Sequence, residues 1–300
     1  MQPSDRVRAL PRRARVAITV MVVFAALLVI GPRLVAVYTD WLWFGEVGYR
    51  RVWGTVLVTR LLLFTAVTVV VAAVIFAAMV WAYRSRPLVA AAGSEKDPLG
   101  PYRMAVLARP RRLALGVPLL LALPFGLHAQ ANWAAVQLFL RGGGFGAVDA
   151  EFGHDIGFYV FDLPFYRMVL NWLFFAVFLA LLASVGVHYL FGGIRLSVQD
   201  ATGNSVSGPA RVQLAVLAGT FIALKAVAYW FDRYALLSSG RKEPTFSGAG
   251  YTDINAVLPA RLFLLAIAVL CAGAFFAAIV VRDRACQDFC VSRCVSDYLT

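Results

Sequence analysis

Long runs of apolar residues without a charged side chain alternate along this chain with short segments that hold most of the arginines. A helix rises about 1.5 Å per residue, so about 20 apolar residues cross the roughly 30 Å hydrocarbon core of a bilayer. We therefore predict an all-α fold, a polytopic bundle of transmembrane helices. The predicted spans are residues 16–37, 61–83, 113–140, 168–194, 212–231 and 262–281.

Two of these spans depart from the simple pattern. Residues 113–140 contain Pro118, Pro124 and Gly126, which predict a kink or a delayed helix start. The first run reaches the required length only if the Arg33 side chain extends to the interface. Because no small-residue cleavage site follows this first run, we expect a retained anchor rather than a cleaved signal peptide.

Composition and charge support a membrane protein and predict its orientation. The chain is 61% hydrophobic, and 15% of its residues are charged, against about 25% in soluble domains. Of its 28 lysines and arginines, 17 fall on the side that includes the basic N-terminus, residues 1–15. Basic loops stay in the cytoplasm, so we predict a cytoplasmic N-terminus in the plasma membrane. The net charge of +12 lies beside apolar runs, which favours contact with anionic lipid over nucleic acid.

The strongest candidate for a functional residue is Lys225, the charge that lies deepest inside a predicted span. Asp232 follows two helical turns later on the same face. An ionisable side chain inside a membrane indicates a function such as ion or substrate binding. The alternative is a structural role, in which the lysine pairs with a neighbour or extends its side chain to the interface.

The predicted outer loop, residues 141–167, holds the other two candidates, His154 and Asp155. Imidazole and carboxylates bind divalent cations, but the loop has no fixed ligand spacing, and its many aromatic residues favour a segment at the bilayer interface. The chain lacks the common hydrolase, zinc-protease and nucleotide-binding motifs. We therefore predict no catalytic residue, no metal and no cofactor.

Several segments resemble a known family. DWLWFGEVGYR, FGHDIGFYVFDLPFYR and GAGYTDINAVLPA, with five shorter segments in the same order, are similar to the amino-terminal part of uncharacterised protein family 0182, large actinobacterial integral membrane proteins. The likeness runs from about Arg12 to Asp283. It implies a multi-pass membrane region followed by a large extracytoplasmic domain, and it implies no catalytic residues.

The last residues, 282–300, depart from that resemblance. They contain Cys286, Cys290 and Cys294, which would share one helix face. The three thiols lack a fourth ligand and the short pairings of structural zinc sites, and palmitoylation is the other functional alternative. We interpret this cysteine-containing tail as an aberrant segment of a truncated or frameshifted gene product.

These observations predict a multi-pass membrane anchor or scaffold region of a larger envelope protein. The alternatives are a transporter or export component that uses the bundle, and a non-functional truncated product. The expected partners are the lipid bilayer, anionic lipid at the cytoplasmic face, and either a helix-packing partner or a second copy of the chain.

Overall fold

A computed structural model shows an almost entirely helical chain, and it describes residues 12–86, 99–194, 206–237 and 249–297. The predicted all-α class is confirmed, since within these ranges the only extended pairings are two isolated bridges, Val148 with Asp155 and Ile194 with Val206. The helices are α1 Arg12–Glu46, α2 Arg50–Arg84, α3 Gly100–Ala108, α4 Pro110–Ala129, α5 Trp133–Arg141, α6 Leu163–Leu190, α7 Gly208–Tyr234 and α8 Leu258–Asp297.

Five helical stretches in the described part of the chain are long and apolar enough to cross a membrane. They are Arg50–Arg84, Pro110–Arg141, Phe158–Leu190, Gly208–Tyr234 and Asp253–Ile279. Only 11–28% of the most apolar window of each stretch is buried inside the protein. The first predicted span falls on α1, and its crossing of the membrane stays a prediction.

The helices extend beyond the apolar runs that predicted them. At 35 residues each, α1 and α2 are about 50 Å long, more than a bilayer core requires. Charged residues such as Arg50 and Arg51 form helical backbone hydrogen bonds as well as apolar residues do, so α2 begins before its apolar run. The turn between α1 and α2 is short because Gly48 adopts a left-handed φ of 80°.

The chain divides within α2 into two compact units, residues 1–59 and residues 60–300. In the first unit, aromatic rings gather around the turn. Trp43 meets Phe44 edge to face with ring centroids 4.9 Å apart, and the Arg50 guanidinium lies 5.0 Å from the Trp41 ring. Rings and arginines of this kind are typical of helix ends at the membrane interface.

The core of the second unit joins α2, α4 and α6. Its buried members are Val67, Val71 and Ile75 of α2, Ala122 and Ala129 of α4, and Ala176 of α6. Small side chains on α4 and α6 allow close approach of the helix backbones, which matters because lipid does not drive helices together. The complementary shapes of the helix surfaces therefore determine how closely these helices pack.

Helices α2 and α4 approach each other closely at Gly126 of α4. A Cβ atom there would lie 2.0 Å from Oγ1 of Thr68 and 2.8 Å from the carbonyl oxygen of Phe64, both on α2. Real Cβ atoms do not approach other atoms so closely, so the contact between α2 and α4 requires glycine at this position.

The third predicted span is interrupted, but the interruption lies after its prolines. Helix α4 includes both Pro118 and Pro124 and ends at Ala129, and a single 3₁₀ turn, Gln130–Asn132, leads into α5. The side-chain amide of Asn132 donates to the carbonyl oxygen of His128 over 3.3 Å. This side-chain bond adds to the backbone hydrogen bonds at the end of the regular helix.

Helix α8 continues through most of the cysteine-containing tail, to Asp297. The side chains beyond Ile279 lie outside the described residues. The interpretation of Cys286, Cys290 and Cys294 therefore stays a prediction.

Candidate functional site

A cleft of about 1110 Å³ lies between the end of α4, the first half of α6 and the second half of α7. Most of its wall is aromatic or aliphatic, and several rings contact one another, such as Phe125 with Phe175 and Phe174 with Phe221. The prolines Pro124 and Pro164 also line it. The cleft is therefore an apolar cavity within helices that are themselves suited to a membrane.

Three charged side chains line the cleft, and two of them were predicted as candidates. Asp232 accepts a hydrogen bond on Oδ1 from Nη2 of Arg167, over 3.0 Å. Lys225 has no hydrogen bond or ion pair with any described residue, and its Nζ lies 4.9 Å from the centroid of the Tyr229 ring and 6.0 Å from that of Phe174. Asp232 is thus paired with Arg167 and not with Lys225, so the Lys225 ammonium lacks an ion-pair partner among the residues that the structure describes.

Arg167 and its pairing could not be predicted from spacing along one helix. Arg167 lies on α6, while Asp232 lies near the end of α7, 65 residues later. A second arginine, Arg261 of α8, donates to the backbone carbonyl oxygen of Asp232. Asp232 therefore joins three helices at one end of the bundle.

The 3₁₀ turn at Gln130–Asn132 opens onto the same cleft, since both His128 and Asn132 are among its lining residues. A break in a membrane helix is tolerated where it is buried in protein or lines a cavity. The cleft therefore combines an unpaired cation, an interrupted helix and an apolar wall.

The other two predicted candidates, His154 and Asp155, lie in the loop 142–157 between α5 and α6 and do not line the cleft. The Asp155 carboxylate accepts hydrogen bonds from the backbone N–H groups of Phe145 at 2.9 Å, Gly146 at 2.9 Å and Gly157 at 2.6 Å. These bonds hold the pKa of Asp155 below its ordinary value. Asp155 therefore shapes the loop.

The ring of His154 packs in an aromatic cluster. Its centroid lies 4.8 Å from that of Phe158 and 5.2 Å from that of Tyr234, which is the buried last residue of α7. Arg233 covers the neighbouring Trp230 ring at 3.4 Å and donates to the Tyr234 hydroxyl. This cluster fixes the loop on the end of α7, and the described residues contain no group of three metal ligands.

Replacing Asp155 with Asn should loosen the loop. An Asn side chain has one oxygen acceptor and no charge, so it cannot hold three amides as a carboxylate does. We expect hydrogen exchange of the amides in loop 142–157 to become roughly tenfold faster at pH 7, as measured by mass spectrometry.

The pH dependence of that loop has a definite sign. Because the folded pKa of Asp155 is lowered, its stabilisation is present above the ordinary value of about 3.9 and is lost as the pH falls from there through the folded pKa. Asp162→Asn is the control, since the side chain of Asp162 makes no hydrogen bond in the ranges that the structure covers. Equal exchange in wild type and Asp155→Asn would contradict this role.

A second polar cluster, which the sequence reasoning missed, lies buried at the opposite end of the bundle. Gln213 of α7 donates from Nε2 to the carbonyl oxygen of Ala78 at 2.7 Å and to Oγ of Ser184 at 3.0 Å, and its Oε1 lies 2.9 Å from Nε2 of His188. Gln213 and Ser184 are 0% exposed, so these bonds are sealed from solvent. The only sequence signal was an amide at the beginning of an apolar run.

Comparison with known proteins places the chain in a family. The model of the uncharacterised protein family UPF0182 matches residues 17–296, so the match extends past Asp283 into the cysteine-containing tail. A UPF0182 protein of Rhodococcus jostii strain RHA1 is 75% identical over 285 residues, which cover 94% of this chain and 29% of that relative. A UPF0182 protein of Mycobacterium tuberculosis strain H37Rv is 60% identical over 275 residues, 91% of this chain and 28% of that relative.

The chain thus spans less than a third of the length of these relatives. A UPF0182 protein of Nocardia farcinica strain IFM 10152 gives the same proportion, with 57% identity over 94% of this chain and 28% of the relative. No solved structure matches the chain.

Proposed function

Because this chain belongs to the uncharacterised protein family UPF0182, we propose that it is the multi-pass membrane-anchoring region of a larger envelope protein. It resides in the plasma membrane with its N-terminus in the cytoplasm. The relatives that are about three times longer support the larger protein.

The observation that carries the anchoring role is the apolar outer surface of the bundle. Large apolar side chains point outward along every candidate span; Phe263 and Leu270 of α8, for example, are each 72% exposed. Contiguous apolar area of this extent destabilises a protein in water and is stabilised by lipid tails. The surface is therefore suited to a bilayer.

Anionic lipid is the proposed partner at the cytoplasmic end. Arg109, Arg111 and Arg112 are exposed where α3 meets α4. Each basic side chain near an anionic leaflet contributes about 1 kcal/mol of attraction. Arg103 of α3 donates from Nε to the carbonyl oxygen of Leu190, the last residue of α6. The cluster therefore lies at the same end of the bundle as the C-terminus of α6.

Cysteine labelling tests the anchoring and the orientation together. Glu151 is exposed in the loop before α6. Tyr102 of α3 is 66% exposed and lies at the other end of the bundle, where α6 ends. With the four native cysteines replaced by serine, we expect Glu151→Cys to react with an impermeant maleimide in intact cells. We expect Tyr102→Cys, the matched variant, to react only after permeabilisation, and both proteins to resist alkaline extraction.

Two results would contradict this proposal. Labelling of Tyr102→Cys in intact cells would reverse the proposed orientation, and release of the chain by alkaline extraction would overturn the anchoring role.

A transporter or export component is the second candidate, and the cleft favours it. Transporters bind substrates at membrane depth beside interrupted helices, and here an unpaired Lys225 and the 3₁₀ turn at Gln130–Asn132 line one cavity. A phenotype of the full-length Rhodococcus relative separates the two. An effect of the equivalent Lys225→Met change at normal membrane abundance favours transport, and its absence favours the anchor.

A further inference from the structure

We propose that the cleft between α4, α6 and α7 binds one anionic phospholipid, whose phosphate lies at Lys225 and whose acyl chains lie along the aromatic wall. The site goes beyond the anchoring role and does not depend on it. The argument begins with charge, since the only charged side chains that line the cleft are Arg167, Lys225 and Asp232. Asp232 balances Arg167, so the described lining has a net charge of +1.

A cation without a counter-ion at this depth is costly. Lys225 lies nine residues before the end of α7, about 14 Å from that end. A lysine near the centre of a membrane helix is strongly unfavourable, and such residues are usually paired. The Tyr229 and Phe174 rings contribute only cation–π attraction, at centroid distances of 4.9 and 6.0 Å. An anionic ligand would supply the missing counter-charge.

The position of the second cation favours a phosphate over a carboxylate. Arg167 uses Nη2 on Asp232, and its side chain is 49% exposed, so further guanidinium N–H groups remain available as donors. Lys225 precedes Asp232 by seven residues, or about 10 Å of rise. Both the Lys225 and the Arg167 side chains can reach the space beside α7 between Lys225 and Asp232. A phosphate has several acceptor oxygens and would bind there between the two cations.

The wall of the cleft favours a lipid over a small soluble anion. Aromatic rings of α4, α6 and α7 line the cleft, among them Phe125, Phe175, Phe178 and Phe221, and a small anion would leave most of this apolar volume empty. At about 1110 Å³, the volume is just above the roughly 300–1,000 Å³ that is usual for small-molecule pockets. A phospholipid fills both the polar and the apolar parts.

Native mass spectrometry of the detergent-purified chain tests this proposal. The protein is titrated with dioleoyl phosphatidylglycerol or, as the zwitterionic comparison, dioleoyl phosphatidylcholine. We expect wild type to retain one phosphatidylglycerol in preference to phosphatidylcholine. We expect Lys225→Met to bind phosphatidylglycerol about tenfold more weakly and Lys225→Arg to restore binding.

The matched control is Arg141→Gln, which removes an exposed cation at the end of α5 that does not line the cleft. It should bind phosphatidylglycerol as wild type does. Equal affinity of wild type and Lys225→Met, or equal retention of the two lipids, overturns the proposal. Displacement of the lipid by 10 mM inorganic phosphate also overturns it, since that result indicates a simple anion site.

Misfolding is separated from loss of binding by circular dichroism and gel filtration of each variant. Lys225 is exposed and forms no polar contact with the described residues, so its replacement by Met leaves no buried group unsatisfied and should preserve the fold. If Lys225→Met does not fold, the Lys225→Gln variant carries the test with the same expected loss.

Discussion

Replacing Gly126 with Leu should destabilise the second unit more than any other single substitution at its helix contacts. A side chain at this position must displace both the Thr68 hydroxyl and the Phe64 backbone, which lie 2.0 and 2.8 Å from the place of the new Cβ. The Phe64 carbonyl belongs to a helix, so α2 and α4 must separate and their shared core must open. We expect a loss of about 3 kcal/mol or more, and a fall in the melting temperature of roughly 10 °C in detergent.

Gly116→Leu is the matched control for this prediction. Gly116 lies on the same helix, and a Cβ there would meet no atom within 4 Å. Its replacement should be neutral or slightly stabilising, because leucine favours helix over glycine by up to about 1 kcal/mol. Similar melting temperatures for the Gly126→Leu and Gly116→Leu proteins would show that the contact between α2 and α4 tolerates a side chain.

Replacing Gln213 with Leu should have the second-largest effect. The substitution removes three polar contacts that join α7 to α2 and α6, and it leaves Ser184 and His188 buried without those partners. Among the described residues, Nδ1 of His188 has no hydrogen-bond partner, so the ring would lose its remaining polar contact with them. Hydrogen bonds between membrane helices contribute about 0.6 kcal/mol each on average, so we expect a total loss of about 2 kcal/mol.

A double-mutant cycle with Ser184→Ala isolates the network. Ser184→Ala alone removes one acceptor of Gln213 and should lower the free energy of unfolding by less than Gln213→Leu does. Because the two side chains share a hydrogen bond of 3.0 Å, the combined effect should be smaller than the sum of the single effects. Strict additivity would indicate that the bond contributes nothing to stability.

The sequence predicted the helical class because the length and polarity of each apolar run are local properties. Residues 61–83 and 262–281 contain no charge, and both lie inside long helices of the structure. The ends of those helices could not be predicted in the same way. Helix α2 begins at Arg50, eleven residues before its apolar run, because arginines and aromatic residues that suit the membrane interface are also compatible with a helix.

The candidate site was predicted only in part, for a similar reason. Lys225 and Asp232 stood out because a charge in an apolar run is visible in the sequence. Their actual relationship depends on Arg167, a residue of another helix that periodicity along α7 cannot reveal. Likewise, a carboxylate beside a histidine gave Asp155 the pattern of a cation ligand, whereas three backbone amides of its own loop occupy its oxygens.

The junction at Asp232 has a mechanical consequence for the cleft. Arg167 of α6 and Arg261 of α8 both hold this one residue of α7, so the three helices are fastened together at that end and resist splaying there. Helix α4 is held in a different way, through its core with α2 and α6 and the close contact at Gly126. We therefore expect the spacing of α6, α7 and α8 at this end to stay unchanged when a molecule enters the cleft.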